Sequence, residues 1–204
     1  VLHWLRRFAV ETPGTPLLTV ADGAERRAWS YAEAWEDVTR VAAALVDRGL
    51  RPGDRVVLLG PNSVEHLTMG LATMLAGAVA VPVAPQYAAA SADPRKLTEL
   101  VRLLEPTLVW AAEPNPMLPR TTLAGAPAVH RLRDAVPADA PRPTPDGLDR
   151  LAPAKILLTS GSTGKPKPVA YTQLMMTTNV RMTLDVWPFL AARPPVLVDW
   201  LPWN

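Results

Sequence analysis

The sequence contains no cysteine and has only four lysines, three histidines, three tyrosines and two phenylalanines. Without cysteine the chain cannot have a disulfide scaffold, a thiolate metal site or a cysteine nucleophile. Neither sign of charge is in excess, because 21 Lys and Arg side chains face 19 Asp and Glu side chains and leave a formal charge of +2. Bulk charge therefore gives no support for nucleic-acid binding, and we expect no nucleic acid among the partners.

A charge-free run covers residues 67–92 and is long enough to cross a bilayer on length alone. Gly77 and Pro82 interrupt it, which favours a buried helix, a turn and a buried strand over a membrane span. The first ten residues place a histidine and two arginines inside an apolar run, a pattern wrong for a secretory signal. We therefore expect no membrane span and a cytoplasmic location.

Short apolar runs alternate with stretches of helical periodicity, which predicts an α/β protein with layered parallel or mixed sheets and flanking helices. The clearest helix begins at Ser30, where a capping box with Glu33 is expected, and ends near Gly49. The apolar run at 55–59 is bounded by glycines and is typical of a strand buried on both faces. Further strands are predicted at 17–20, 27–29, 79–83, 107–110 and 154–158. Asn62 with Glu65 is expected to cap the next helix, and further helices are predicted after Asp93-Pro94 and from Gln173.

Proline is frequent, and four of the 23 prolines lie within the nine residues from Pro137 to Pro145. Each proline fixes φ and disfavours helix at the residue before it, so this stretch predicts a semi-rigid connector. We predict an N-terminal α/β subdomain at 1–136, a Pro-rich connector at 137–150 and the start of a second subdomain at 151–204. The chain has no initiator Met and stops in an apolar run, so we expect it to be truncated at 204.

The strongest chemical signal lies at residues 159–168, which read Thr-Ser-Gly-Ser-Thr-Gly-Lys-Pro-Lys-Pro. Glycine amides can converge on an anion, hydroxyls add neutral donors, and Lys165 and Lys167 add charge, so the segment suits a polyphosphate. A flexible hairpin loop with solvated lysines is the competing interpretation. A P-loop is excluded because only two residues separate Gly161 from Gly164, and a dinucleotide fingerprint fails for want of its second glycine.

Residues 158–167 resemble the phosphate-binding signature of the adenylate-forming superfamily, which includes acyl-CoA synthetases, luciferases and peptide-synthetase adenylation domains. Four earlier segments are also similar to this family: 29–31, 53–56, 61–63 and 77–83. Residues 199–204 are similar to the segment of feruloyl-CoA synthase-like members that precedes an acyl-pocket His-Thr-Phe-Gly-Gly. Pro168 departs from the signature, which usually has glycine there, and removes one backbone donor.

The resemblance implies the N-terminal part of the family's large domain and a two-step ligase reaction. A carboxylic acid and ATP would give an acyl-adenylate and pyrophosphate with the help of Mg²⁺, and the thiol of coenzyme A would then displace AMP. The resemblance assigns the nucleotide phosphates to Thr159, Ser160, Gly161, Ser162, Thr163, Gly164, Lys165 and Lys167, with Lys165 at a variable position. The catalytic residues would lie beyond Asn204, in the missing C-terminal part of the chain, so we expect this fragment alone to be inactive.

The same resemblance points to an aryl or hydroxycinnamic acid such as ferulate as the substrate. Two further hypotheses stay open. One is a medium- or long-chain fatty acyl-CoA ligase, and the second is a non-catalytic nucleotide-binding or interaction module from a truncated paralogue. A reading frame that continues past Asn204 into His-Thr-Phe-Gly-Gly would argue against the non-catalytic module.

The three histidines, His3, His66 and His130, have no metal-type spacing to one another or to carboxylates, so no metal site is predicted. His66 lies next to Glu65 on a predicted helix, and we expect it at the surface.

Several tryptophans are expected to be structural, with Trp35 and Trp110 on apolar faces that point to the core. Trp200 and Trp203 could line an aromatic substrate site or pack in the interior. Asp199 is expected to form a structural hydrogen bond.

Overall fold

A computed structural model describes residues 1–22, 25–87, 93–112, 129–160, 166–192, 194–199, 201 and 203. The α-helices are α1 (Leu2–Glu11), α2 (Tyr31–Asp47), α3 (Val64–Leu75), α4 (Pro94–Leu104), α5 (Val129–Asp134), α6 (Gln173–Val186) and α7 (Phe189–Ala192). The strands are β1 (Pro16–Asp22), β2 (Glu25–Ser30), β3 (Arg55–Leu59), β4 (Val79–Val83), β5 (Leu108–Ala111), β6 (Pro153–Ser160) and β7 (Pro166–Thr172). The predicted α/β class is confirmed.

The main sheet has five strands in the order β5-β3-β4-β6-β7. Strand β3 pairs in parallel with β4 and β5, and β4 pairs in parallel with β6 at Ala80 and Lys155. Strand β7 pairs antiparallel with β6, so the sheet is mixed. Strands β1 and β2 form a separate antiparallel pair. Because β6 is a neighbour of β4, residues on both sides of the Pro-rich stretch contribute to one sheet.

The sheet separates two apolar cores, and the strand period of two residues decides which side chain enters which core. Along β3, Val56 and Leu58 join a core with α1, α2 and α3, whereas Val57 and Leu59 join a second core with α4. All four side chains are almost completely buried. The continuous apolar run is thus explained by burial on both faces, as the sequence predicts.

The predicted start of α2 is confirmed, and the predicted cap of α3 is corrected. At Ser30 the predicted capping box is present, since the Ser30 Oγ accepts from the Glu33 amide and the Glu33 carboxylate accepts from the Ser30 amide at 2.8 Å. Helix α3 was expected to be capped by Asn62, but its N-cap is Ser63, whose hydroxyl accepts from the amide of His66 at 3.1 Å. Either side chain can cap a helix, and Asn62 is used in long-range hydrogen bonds instead.

The segment that follows α5 is attached to α2 by arginine side chains. The Arg142 guanidinium forms an ion pair with Glu36 and donates to the Thr39 hydroxyl at 3.3 Å. From the other side, Arg40 donates to the Val136 carbonyl at 2.7 Å. These contacts explain how a stretch with little regular structure keeps a fixed path, while the subdomain boundaries at 136 and 150 stay predictions.

The carboxyl-terminal third of the chain is much less buried than the rest. Among residues 153–159 of β6, only Ala154 is fully buried, and the strand is half-buried from Lys155 to Leu158. Helix α6 has no fully buried residue, although Met176 packs against the core. The described residues supply little cover for this face because β7 and α6 lie at the open side of the sheet.

Candidate functional site

Strands β6 and β7 form the hairpin whose turn carries the predicted phosphate loop. The register pairs Ser160 with Pro166 and Thr159 with Lys167 at the base of the turn. The Thr159 Oγ1 donates to the Lys167 carbonyl at 3.3 Å, which adds a side-chain link to the hairpin. Of the eight predicted loop residues, the structure therefore places Thr159, Ser160 and Lys167 together at one point.

The other five predicted loop residues lie outside the described part of the chain: Gly161, Ser162, Thr163, Gly164 and Lys165. Their assignment to the nucleotide phosphates stays a prediction. Pro168, the departure from the signature, lies in β7 opposite Leu158. It is two residues beyond the base of the turn, so the missing amide belongs to the strand.

The hairpin turn follows the carboxyl end of β6, at the same edge of the sheet where the parallel strands β3 and β4 end. Ligands of open α/β sheets bind outside the carboxyl ends of the strands. The loop after β3, at residues 60–63, therefore belongs to the same edge as the predicted phosphate loop. The sequence alone did not indicate this proximity, because about 100 residues separate the two loops.

Trp203 is held by two side chains that fix its position at this edge. The Asn62 amide donates to the Leu201 carbonyl at 2.6 Å, and its Oδ1 accepts from the Trp203 amide at 2.9 Å. The Asp199 carboxylate accepts from the Leu201 amide at 2.9 Å and from the Trp203 indole at 3.0 Å. The expected structural role of Asp199 is confirmed. Asn62 joins residues about 140 positions apart, and no local pattern signals that role.

His66 is buried and faces Trp203, which corrects the expectation of a surface side chain. Its side chain lies on α3 with the residue only 5% exposed, and its ring is edge-on to both Trp110 and Trp203, with centroids 6.0 and 6.3 Å apart. Its Nδ1 lies 3.2 Å from the Gly60 carbonyl, and since a carbonyl only accepts, Nδ1 carries the proton. Position 60 also packs closely against β5 and the residue after it, because a Cβ there would lie 2.9 Å from the Cβ of Ala112.

Lys155 is the functional candidate that the sequence analysis missed. Burial lowers the pKa of its ammonium group, and its Nζ donates to the Trp203 carbonyl at 3.5 Å. Within the described residues no carboxylate lies within ion-pair distance of it. A lysine inside the apolar run 154–158 is the signal that could have revealed it.

Burial also lowers the pKa of His66, outweighing the hydrogen bonds to the Gly60 and Pro61 backbone that raise it. The unfolded chain regains the usual histidine pKa of about 6.5. Below that pH the unfolded state binds a proton that the folded state resists, so we expect the free energy of unfolding to fall as the pH drops from about 6.5 toward the lowered pKa.

Urea unfolding between pH 8 and 5 tests this prediction. His66→Gln should show a smaller loss of stability on acidification than the parent chain, because glutamine has no imidazole to protonate in the unfolded state. Parallel profiles for His66→Gln and the parent would contradict the prediction.

The described residues show neither a metal site nor a membrane-spanning helix. Among the described residues, no group of three or more His, Asp and Glu side chains is placed to hold a metal ion. In the same part of the chain, no helix combines the length and apolar character needed to span a bilayer.

The sequence matches the profile of the AMP-binding enzyme family over residues 5–202. It is 36% identical to phenyloxazoline synthase MbtB of Mycobacterium sp. (strain MCS) over 167 residues, which cover 81% of this chain and 13% of that protein. It is 35% identical to feruloyl-CoA synthase of Amycolatopsis sp. over 159 residues, or 74% of this chain and 30% of that protein. The chain thus spans less than a third of either relative.

The fold matches the o-succinylbenzoate coenzyme A synthetase (MenE) of Bacillus subtilis in complex with AMP, with a TM-score of 0.71 and 21% identity. The match covers 90% of this chain and 46% of that structure. The chain is also 32% identical to the probable non-canonical nonribosomal peptide synthetase CymA of Salinispora arenicola over 185 residues, which cover 89% of this chain and 2% of that protein. The expected special likeness to feruloyl-CoA synthase is therefore not favoured. The resemblance to adenylate-forming enzymes is confirmed at the level of the family. The chain belongs to the AMP-binding enzyme family.

Proposed function

We propose that this chain is the N-terminal portion of an ATP-dependent ligase that converts a carboxylic acid into an acyl-adenylate. The observation that carries the proposal is the β6–β7 hairpin, which brings Thr159, Ser160 and Lys167 together at the carboxyl edge of the sheet. These three residues flank a sequence rich in hydroxyls, glycine and lysine. Membership of the AMP-binding family supports it. A cytoplasmic location, where ATP is available, goes with the proposal.

In the first step a carboxylate oxygen bonds to the α-phosphorus of ATP while the bond from that phosphorus to the pyrophosphate oxygen breaks. The protein has little covalent chemistry to do at phosphorus, so positioning and stabilisation of charge dominate. The loop amides and the hydroxyls of Ser162 and Thr163 would donate to the β- and γ-phosphates. Lys167, at the exposed base of the hairpin, would neutralise part of their charge.

Magnesium would accompany the nucleotide and would neutralise part of the charge of its phosphates. Hydroxyls and lysines do not by themselves make a magnesium site, and among the described residues no carboxylate cluster is present. We propose that the remaining ligands of Mg²⁺ come from residues outside the described part of the chain.

For the second step we propose coenzyme A as the thiol that attacks the acyl carbonyl and displaces AMP, with an aryl or hydroxycinnamic acid as the substrate. The similarity to feruloyl-CoA synthase supports this choice. The similarity to peptide synthetases favours a second candidate, in which the acyl-adenylate is passed to a thiol that is not coenzyme A. A fatty acyl-CoA ligase and a non-catalytic nucleotide-binding module are the competing hypotheses for the chain as a whole.

ATP–pyrophosphate exchange by the longest natural polypeptide that contains this sequence tests the proposal. We expect exchange that depends on an added acid, with ferulate or a related aryl acid more effective than a fatty acid. Thioester formation with coenzyme A would then separate the two thiol acceptors. If none of the aryl and fatty acids tested supports exchange, the proposal of acyl-adenylate formation is contradicted. A preference for fatty acids would contradict the proposed substrate class.

A further inference from the structure

A cavity of about 350 Å³ lies between α3, the main sheet and the indole of Trp203. Its volume is in the range of small-molecule sites, and its lining is mostly apolar with two polar side chains, Lys155 and His66. The apolar wall consists of Leu58, Leu67, Leu71, Met74, Ala80 and Pro82, together with Gly70. The proposed function rests on the phosphate loop and assigns no role to this cavity.

Among the described residues, no anion accompanies the Lys155 ammonium group in the cavity. The ammonium group of Lys155 has one hydrogen bond, to the Trp203 carbonyl, and no carboxylate in the described part of the chain pairs with it. A lysine half-buried beside apolar side chains is stabilised when a negative group enters with it. An anionic ligand in the cavity would therefore supply the negative charge to pair with Lys155.

One wall of the cavity is formed by Trp203, whose indole is held by a hydrogen bond. Asn62 and Asp199 each form two hydrogen bonds to the 201–203 segment, and one of those from Asp199 fixes the Trp203 indole itself. A fixed indole offers its face to a ring at low entropic cost, and the thioether of Met74 is a second favourable neighbour for an aromatic group. These walls favour a ring over an alkyl chain.

Gly70 keeps the cavity open at a cost to its helix. A helix with glycine at an interior position is less stable than the same helix with alanine. Among the described residues, a Cβ at position 70 would meet only Leu58 Cδ1, at the ordinary contact distance of 3.6 Å. Close packing therefore does not require glycine here. What the glycine provides is space beside Lys155 and Trp203.

From these contacts we propose that the cavity binds an aromatic carboxylate, with the carboxylate on the Lys155 ammonium and the ring against Trp203. The inference goes beyond the proposed function, because it concerns binding that needs neither ATP nor turnover. The acid bound could be the one that is adenylated or a separate effector, and kinetic assays distinguish these two sources.

Titration of the 204-residue chain with benzoate, followed through the indole N–H signals of the tryptophans by NMR, tests the proposal. We expect the Trp203 signal, identified with Trp203→Phe, to shift with benzoate, and binding of the neutral benzamide to be at least about tenfold weaker. Lys155→Met should weaken benzoate binding by at least about tenfold, whereas Lys96→Met, on the exposed face of α4, should leave it unchanged. Equal binding by Lys155→Met would overturn the proposal.

A second pair of variants tests the space without touching the charge. Gly70→Leu should block benzoate, while Gly70→Ala should bind it and have a higher melting temperature. Circular dichroism confirms that each variant is folded, and if Gly70→Leu does not fold, the Lys155→Met and benzamide comparisons decide alone. Benzoate binding that survives in a folded Gly70→Leu would place the ligand elsewhere and overturn the proposal.

ATP–pyrophosphate exchange by the longer natural polypeptide distinguishes whether the bound acid is the adenylated substrate or a separate effector. A higher KM for the acid in Lys155→Met, with an unchanged KM for ATP, identifies the cavity with the adenylated acid. Unchanged KM values, together with lost benzoate binding, identify a separate effector site. If benzoate binds but the exchange reaction fails, only the proposed function is overturned. If exchange proceeds but benzoate does not bind, only this inference is overturned.

Discussion

Replacing Thr163 and Lys167 together by alanine is expected to slow acyl-adenylate formation by about 10²- to 10³-fold, the size of effect seen when a preorganised donor is removed from a developing charge. Both side chains would contact phosphate oxygens, and Lys167 sits where the hairpin register fixes it against Thr159. The loss should appear in ATP–pyrophosphate exchange, with kcat/KM for ATP affected more than the KM for the acid.

A matched control uses the same residue types away from the hairpin turn. Thr178→Ala with Lys96→Ala changes an exposed threonine of α6 and an exposed lysine of α4. We expect this double variant to keep parental exchange rates. An unchanged exchange rate in the Thr163→Ala, Lys167→Ala variant would remove the phosphate-binding role from the loop.

Truncation of Trp110 is expected to have the largest effect on stability. The side chain is 1% exposed in β5 and packs against the edge of His66. Trp110→Ala should lower the free energy of unfolding by about 3–5 kcal/mol, from the lost burial and the cavity left behind. That is a large part of the ~5–15 kcal/mol that stabilises an ordinary domain.

Trp110→Phe should cost much less than Trp110→Ala, for a specific reason. The Trp110 indole nitrogen is buried and has no hydrogen-bond partner among the described residues, and phenylalanine removes that unsatisfied donor. Trp187→Ala, at a residue 54% exposed, should change stability by no more than about 0.5 kcal/mol. Urea unfolding checks all three variants, and equal losses for Trp110→Phe and Trp110→Ala would contradict the argument from the unpaired nitrogen.

Local patterns determined much of the fold. The capping box at Ser30 and Glu33 predicted the start of α2, and the apolar run at 55–59 predicted the doubly buried strand β3. These predictions held because the deciding interactions lie within a few residues of one another or depend only on the strand period. The phosphate-binding role of residues 159–167 stays a prediction, which the sequence supports because the signature is contained in about ten consecutive residues.

Contacts distant in the sequence decided the rest of the site. Asn62 was expected to cap α3 and instead forms a hydrogen bond with Trp203. Asn62 and Ser63 can each cap the helix, and only the assembled sheet brings Trp203 close to Asn62. His66 was expected at the surface, and its burial depends on Trp110 and Trp203 lying on either side.

By itself, the sequence determined the α/β class, the principal helices and strands, and the family to which the chain belongs. Only the tertiary structure decided that Lys155, His66 and Trp203 share one cavity at the edge of the sheet. The physical reason is that helix caps, strand periods and glycine-rich loops act over a few residues. Burial and the lowered pKa values of His66 and Lys155 depend instead on groups up to about 140 residues away.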